Sequence, residues 1–262
     1  MAEVYYKDKN VLLIQGNCLE VMPKLKIKFD ACITDPPYGT TACKWDNIIP
    51  FEPMWDYLKV LIKTNGAICL FGSEPFSSRL RCSNLAMFKY DWVWIKNNAV
   101  GFVNAKLKPM NKHEVISVFS EGKTSNCNKH NMIYNPQNLV LLNKMKRSGN
   151  HKDKENTYWR KNGLNGTPYL QKFTNYPTTD LYFSKPSKAV HPTQKPVELV
   201  EYLIKTYTSE GDTVLDFTCG SGTTLIAGLN TGRRVVGIEL ESKYCEITKN
   251  RIKSWYKEHE NN

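Results

Sequence analysis

Two short segments carry side chains whose types and spacing suit chemistry. The first is Thr34-Asp35-Pro36-Pro37-Tyr38-Gly39. Consecutive prolines fix φ and restrict the residue before each, so Asp35 is held stiffly beside an aromatic ring three positions on. A carboxylate and a ring so placed suit a planar amine, one accepting its N–H and the other stacking on its plane. On these residues alone a proline-rich turn that happens to hold Asp and Tyr is the lesser alternative. The second segment is Val214-Leu215-Asp216-Phe217-Thr218-Cys219-Gly220-Ser221-Gly222-Thr223-Thr224. An apolar run into a glycine turn and then a helix start lets backbone approach a ligand and offers unpaired N–H groups. Glu239 ends the next apolar run, 23 residues beyond Asp216. A carboxylate there commonly holds ribose hydroxyls, which points to a nucleoside ligand, either a nicotinamide dinucleotide or S-adenosylmethionine. The dinucleotide fingerprint needs a further glycine at position 225, where this chain has Leu225. That favours the smaller, amino-acid-bearing nucleoside.

The elements that position these segments read as strands alternating with helices. Val11–Gln15, Phe29–Thr34 and Ala67–Phe71 are predicted strands, and Phe51 to Lys63 a helix stopped at Asn65-Gly66. Tyr90–Ile95 and Glu114–Phe119 are predicted strands at the sheet edge. A helix from Pro196 to about Tyr207, a strand at Thr213–Asp216, a helix at Thr223–Asn230, a strand at Arg234–Glu239 and a helix to about Lys257 complete the pattern. This alternation predicts an α/β fold with a largely parallel sheet, and Asp35 at a strand's carboxyl end, where open sheets bind ligands.

The 262 residues carry a net charge of +11, and it is uneven. Residues 121–190 hold twelve Lys/Arg against four Asp/Glu, leaving only +3 for the rest. That block is rich in Asn, Lys, Gly and Pro, with weak periodicity, and reads as an irregular insert. Its interleaved Tyr134, Tyr158, Trp159, Tyr169, Phe173 and Tyr176 suit a phosphate backbone with exposed bases. Lys144, Lys146, Arg147, Arg160 and Lys161 are the candidate phosphate contacts, though a solvated basic face has the same composition. Eight cysteines at positions 18, 32, 43, 69, 82, 127, 219 and 245 form no C-x-x-C pair, so they read as reduced side chains and no metal site is expected. The polar start of the chain lacks a signal-peptide core and no apolar run reaches bilayer length, which makes the cytoplasm the expected location.

Asp35-Pro36-Pro37-Tyr38 and Phe217 to Gly222 together resemble the catalytic and cofactor motifs of DNA amino-methyltransferases. With the catalytic motif first and the glycine turn late, their order resembles the β-class, a circular permutation of the shared Rossmann-like fold with helices on both sheet faces. The resemblance implies a catalytic half at 1–120, a target-recognition insert at 121–190 and a cofactor-binding half at 191–262. It implies S-adenosyl-L-methionine as cofactor. Asn17 and Cys18 are then expected at the adenine, Thr193 and Lys195 of His191-Pro192-Thr193-Gln194-Lys195-Pro196 at the methionine end, and Asp216, Phe217, Thr218, Gly220, Ser221, Gly222, Thr223 and Glu239 around the remainder, with Asp35 facing its methyl. Two positions depart from the family pattern: Asn17 stands where Asp is usual, and Thr218 where an aromatic is usual, with Phe217 adjacent. Asp35, Pro36, Pro37 and Tyr38 are the implied catalytic residues. Asp at the first position is commoner for adenine N6, so double-stranded DNA methylated at adenine is expected, with cytosine N4 as the alternative. RNA and protein-amide methyltransferases are more distant alternatives, and a non-enzymatic DNA-binding protein is another. A homodimer and a partner restriction endonuclease are family associations.

Overall fold

Short β-branched and apolar runs set the framework. The computed structural model describes residues 2–40, 46–125, 130–147, 168–185 and 194–259. Its strands are β1 (Glu3–Lys7), β2 (Val11–Gln15), β3 (Phe29–Thr34), β4 (Ile62–Gly72), β5 (Phe88–Val100), β6 (Asn111–Phe119), β7 (Val140–Arg147), β8 (Pro168–Thr174), β9 (Asp180–Tyr182), β10 (Thr213–Asp216) and β11 (Arg234–Glu239). The helices are α1 (Cys18–Val21), α2 (Phe51–Leu61), α3 (Phe76–Ser83), α4 (Val197–Tyr207), α5 (Thr223–Asn230) and α6 (Ser242–His259). Among the described residues, nine strands form one sheet in the order β1-β2-β11-β10-β3-β4-β6-β5-β9. The run β2-β11-β10-β3-β4 is parallel throughout, while β1 and β6 oppose it. The late strands β10 and β11 thus lie between the early strands β2 and β3.

Alternation along each strand divides the core into two layers. Ala31, Ile33, Ala67, Cys69, Phe71 and Val214 face the layer built by α4, α5 and α6. Cys32, Ile68, Leu70, Leu215 and Phe217 face the layer built by α1, α2 and α3. Helix α4 shows why its stretch is helical: Leu199, Val200, Leu203, Ile204 and Tyr207 recur on one stripe and are all buried. Burying each such side chain contributes roughly 1.5–3 kcal/mol. The α/β fold with helices on both faces is as the sequence implies.

Several boundaries differ from the sequence reading. Helix α2 ends at Leu61, because Ile62 is already extended and opens β4. Gly66 is therefore inside a strand; a Cβ there would lie 2.5 Å from the Asp30 carbonyl oxygen, so it permits close strand contact rather than stopping a helix. β6 is flanked by β4 and β5, and β9 covers β5, so neither predicted edge strand is an edge. The polar N-terminal residues form β1, and α3 was not evident in the sequence pattern.

The chain divides into two compact units, Met1–Asn135 with Thr179–Asn262, and Pro136–Thr178. Within the second, β7 and β8 form an antiparallel ribbon. The segment read as irregular therefore contains regular structure, and its last strand, β9, belongs to the main sheet. Among the described residues no helix is long and apolar enough to cross a membrane.

Candidate active site

β3 and β10 are parallel neighbours, and the chain leaves them in opposite directions across the sheet, from β3 to β4 and from β10 to β11. Such a divergence opens a crevice at the carboxyl ends of the strands. Both chemistry-bearing segments begin there: β3 ends at Thr34, just before Asp35, and β10 ends at Asp216. They are tied together, since the Thr34 hydroxyl donates to Asp216 and the Thr218 hydroxyl donates to the Asp35 carbonyl oxygen at 3.1 Å.

The Asp35 carboxylate is held from two sides. Tyr38 donates its hydroxyl to Oδ1 at 2.5 Å, and Lys195 Nζ lies 2.5 Å from Oδ2. Lys195 also lies 3.3 Å from Glu114, which in turn pairs with Lys96 at 2.5 Å. Lys96 and Lys195 are buried, so a chain of alternating charges runs from β5 and β6 to the Asp35 loop. Burial pushes the Asp35 carboxyl above its usual range, against the pull of the Lys195 charge. Burial also opposes the charges of Glu114 and Lys195, yet Lys195 and Lys96 hold Glu114 below its usual range, and Asp35 and Glu114 hold Lys195 above its own. The Tyr38 ring stacks on Phe76 with centroids 5.1 Å apart. Asp46 fixes the following turn by accepting from the Gly39 and Thr40 backbone N–H groups, each at 2.9 Å.

The opposite wall is held by backbone. Glu239 accepts from the Gly220 N–H and the Glu241 N–H, both at 2.8 Å. Burial raises its carboxyl above the usual range, and those amides pull it back. Burial likewise pushes Asp216 up to about 6. Thr248 and Arg251 of α6 brace the turn by donating to the carbonyl oxygens of Gly220 and Ser221, at 2.9 and 2.6 Å. Asn17 caps α1 by accepting from the Leu19 N–H at 3.0 Å.

A cavity of about 410 Å³ lies between these walls. It brings together Asn17, Cys18, Asp35, Pro36, Pro37, Tyr38, Lys195, Asp216, Phe217, Thr218, Gly220, Ser221, Thr223 and Glu239. Gly222 does not line it. Gly222 has φ +78°, and a Cβ there would lie 2.5 Å from Thr248, so this glycine lets the turn pack on α6. Phe217 lines the cavity while buried in the core, and the small Thr218 beside it reaches Asp35. Thr193 lies outside the described residues, as do Arg160 and Lys161. Lys144, Lys146 and Arg147 are exposed on β7. Sequence reasoning missed Lys96 and Glu114, as well as Asp46, Phe71 and Tyr244, which share the cavity. No motif marks these residues: Phe71, Lys96 and Glu114 reach the site through the sheet, Asp46 through its bonds to the Gly39–Thr40 turn, and Tyr244 from α6. Among the described residues no group of His, Cys, Asp or Glu could hold a metal ion.

The site suits a nucleoside carrying an amino-acid tail. It offers a carboxylate anchored by amides, an apolar wall at Phe217 and Leu240, and a turn of open backbone. The model of the DNA methylase family matches residues 29–250. The chain belongs to this family. Type II methyltransferase M1.MboII of Moraxella bovis is 26% identical over 243 residues, covering 88% of this chain and 92% of that protein. Type II methyltransferase M2.DpnII of Streptococcus pneumoniae is 26% identical, covering 97% of this chain and 94% of its own. The solved M1.HpyAVI–SAM complex is 25% identical, with a TM-score of 0.59, and covers 92% of this chain and 99% of that one. PvuII DNA methyltransferase, which is cytosine-N4-specific, is 15% identical with a TM-score of 0.61, covers 97% of this chain and 94% of its own, and shares the fold. The methylase is S-adenosyl-L-methionine-dependent, and the residues lining the cavity fit that cofactor.

Proposed function

We propose that this DNA methylase transfers a methyl group to N6 of adenine in double-stranded DNA, on a base flipped out of the duplex. The observation that carries the reading is Asp35, a rigidly placed carboxylate that opens onto the cavity with Tyr38 beside it. An exocyclic amine is a poor nucleophile because its lone pair is delocalised into the ring. Asp35 accepts one of its N–H bonds and the Pro36 carbonyl the other, which favours a pyramidal nitrogen with its lone pair turned to the methyl donor. Each carboxylate oxygen has two lone pairs, so the bonds from Tyr38 and Lys195 leave room for the amine. Tyr38 stacks on the base, and base flipping delivers it there.

When bound, S-adenosyl-L-methionine supplies an electrophilic sulfonium methyl. Glu239 takes its ribose hydroxyls, the turn from Phe217 to Thr223 its backbone-facing side, and Asn17 with Cys18 its adenine. Thr193 serves the methionine end. Lys195 is assigned there by resemblance, but its ammonium pairs with Asp35 and Glu114, so we assign it to holding Asp35 as well. Motif order, with β10 and β11 inserted between β2 and β3, supports the permuted β-class. Lys144, Lys146 and Arg147 on the exposed β7–β8 ribbon, with Arg160 and Lys161, contact phosphates in target recognition. By analogy with the Type II relatives, the enzyme is the modification partner of a restriction endonuclease in the cytoplasm.

Incubation with methyl-tritiated cofactor and unmethylated plasmid DNA, followed by digestion to nucleosides, tests this. Label in N6-methyldeoxyadenosine is expected. Label only in N4-methyldeoxycytidine overturns the base assignment, and label only in an RNA or peptide competitor overturns the DNA substrate.

A further inference from the structure

The β5–β6 hairpin ends in a tip whose character the site does not explain. Between Lys96 and Glu114 the sequence contains no acidic residue, and Lys106, Lys108 and Lys112 are all exposed. In the same tip Phe102 is 80%, Val103 96% and Leu107 87% exposed. These side chains do not project from slack chain. Asn104 donates to the Gly101 carbonyl at 3.0 Å, Ala105 to Phe102 at 3.0 Å and Leu107 to Asn104 at 2.9 Å, so a 3-10 turn at Phe102–Asn104 holds them outward. Large apolar side chains presented together on an ordered tip mark an interaction surface.

Topology sets where the tip points. β5 opposes β6, and β6 opposes β4, so β5 runs in the direction of β3 and ends on the side of the sheet where the carboxyl end of β3 carries Asp35. The hairpin is rooted in the site, because Lys96 on β5 and Glu114 on β6 belong to the charge chain that reaches Asp35 through Lys195. What the tip touches therefore lies on the same side of the sheet as whatever enters the cavity.

We propose that this tip is a DNA wedge: Phe102 and Val103 enter the base stack at the gap left by the flipped base, while Lys106, Lys108 and Lys112 take the flanking phosphates. The inference rests on the DNA-methylating reading above. Proteins that kink or open a duplex place apolar side chains between bases and cations on the backbone beside them. A second copy of the chain fits less well, since a two-fold contact through this tip would set lysines against lysines. The wedge contributes most where the base must be pulled from a paired stack, and little where pairing is already absent.

The test uses the full chain and a duplex carrying the site mapped by sequencing modified bases in plasmid DNA methylated by the wild type. A second duplex places an abasic position opposite the target base. For the Phe102→Ala/Val103→Ala double variant, kcat/KM on the paired duplex is expected to fall about tenfold or more. On the abasic duplex it should stay near wild type, with cofactor binding and thermal melting unchanged. Lys106→Ala/Lys108→Ala/Lys112→Ala should flatten the salt dependence of duplex binding by roughly one to three phosphate contacts. A wild-type rate on the paired duplex, an equal loss on both duplexes, an unchanged salt slope, or conversion of a dimer to a monomer in sedimentation would each overturn the wedge. If the wild type itself methylates no DNA, the underlying reading fails with it; if it methylates and the variants match it, only the wedge fails.

Discussion

Asp35 and Glu239 both stand at carboxyl ends of parallel strands and face one cavity, but they are held by opposite means. Glu239 is gripped by the Gly220 and Glu241 backbone amides, in a turn braced by α6. Asp35 is gripped by side chains, Tyr38 and the Lys195–Glu114–Lys96 chain. Backbone amides cannot rotate away, so Glu239 is a permanent part of a binding wall. Side-chain donors can yield, and each Asp35 oxygen keeps a further lone pair, so Asp35 has room for a substrate amine without unravelling its loop. On the proposed reading, the contrast separates a carboxylate that binds from one that aligns.

The largest effects should separate along that line. Asp35→Ala is expected to lower turnover roughly a thousandfold and leave cofactor affinity, measured by calorimetry, near wild type. Glu239→Ala should do the reverse, weakening cofactor binding about 10–100-fold through loss of charged hydrogen bonds. Turnover at saturating cofactor should change far less. Both variants losing cofactor affinity equally would erase the distinction.

Asp216 lies between the two walls and gives the comparison a pH signature. Its carboxyl titrates at about 6 in the fold against an ordinary 3.8, because it is buried. The folded state then holds the proton more tightly than the unfolded chain, so stability is highest below the ordinary range and falls as pH rises to about 6. Asp216→Asn should remove that decline. In urea melts of the cofactor-free protein, the stability difference between variant and wild type should change by about 1–3 kcal/mol between pH 4 and 7. A constant difference would contradict the burial argument.

A smaller effect tests the charge chain. Glu114→Gln should lower turnover about tenfold, within the range seen when supporting groups around a reactive residue are lost. Cofactor affinity should not change. Because Glu114 helps keep Lys195 charged, the alkaline fall of the pH–rate profile should move to lower pH. A rate loss with an unmoved profile would make Glu114 a packing residue only.

Much of the site was legible because its residues travel in short segments. Asp35 to Tyr38 and Phe217 to Thr223 each sit at the end of an apolar run, and local stiffness or glycine spacing betrays them. Lys96 and Glu114 were not legible. Each is an ordinary charge in a strand; the β5–β6 pairing brings Lys96 to Glu114, and Glu114 meets Lys195, about eighty residues on in sequence, only in the folded chain. The fold followed a similar rule. Parallel strands buried on both faces read as apolar runs, whereas β1, with its charged ends, and the exposed β7–β8 ribbon lack a buried face to leave a pattern. Gly66 misled for a related reason, since a glycine needed for close strand contact looks like one that stops a helix.

The central claim is that Asp35 aligns the amine as a hydrogen-bond acceptor and is not required as a strong base. Turnover of Asp35→Asn beside Asp35→Ala, at saturating cofactor on the mapped duplex, tests it most directly. An amide oxygen still accepts an N–H but holds almost no proton, so Asp35→Asn should exceed Asp35→Ala by at least about tenfold. Equal inactivity of the two, with cofactor binding intact in both, would contradict the account.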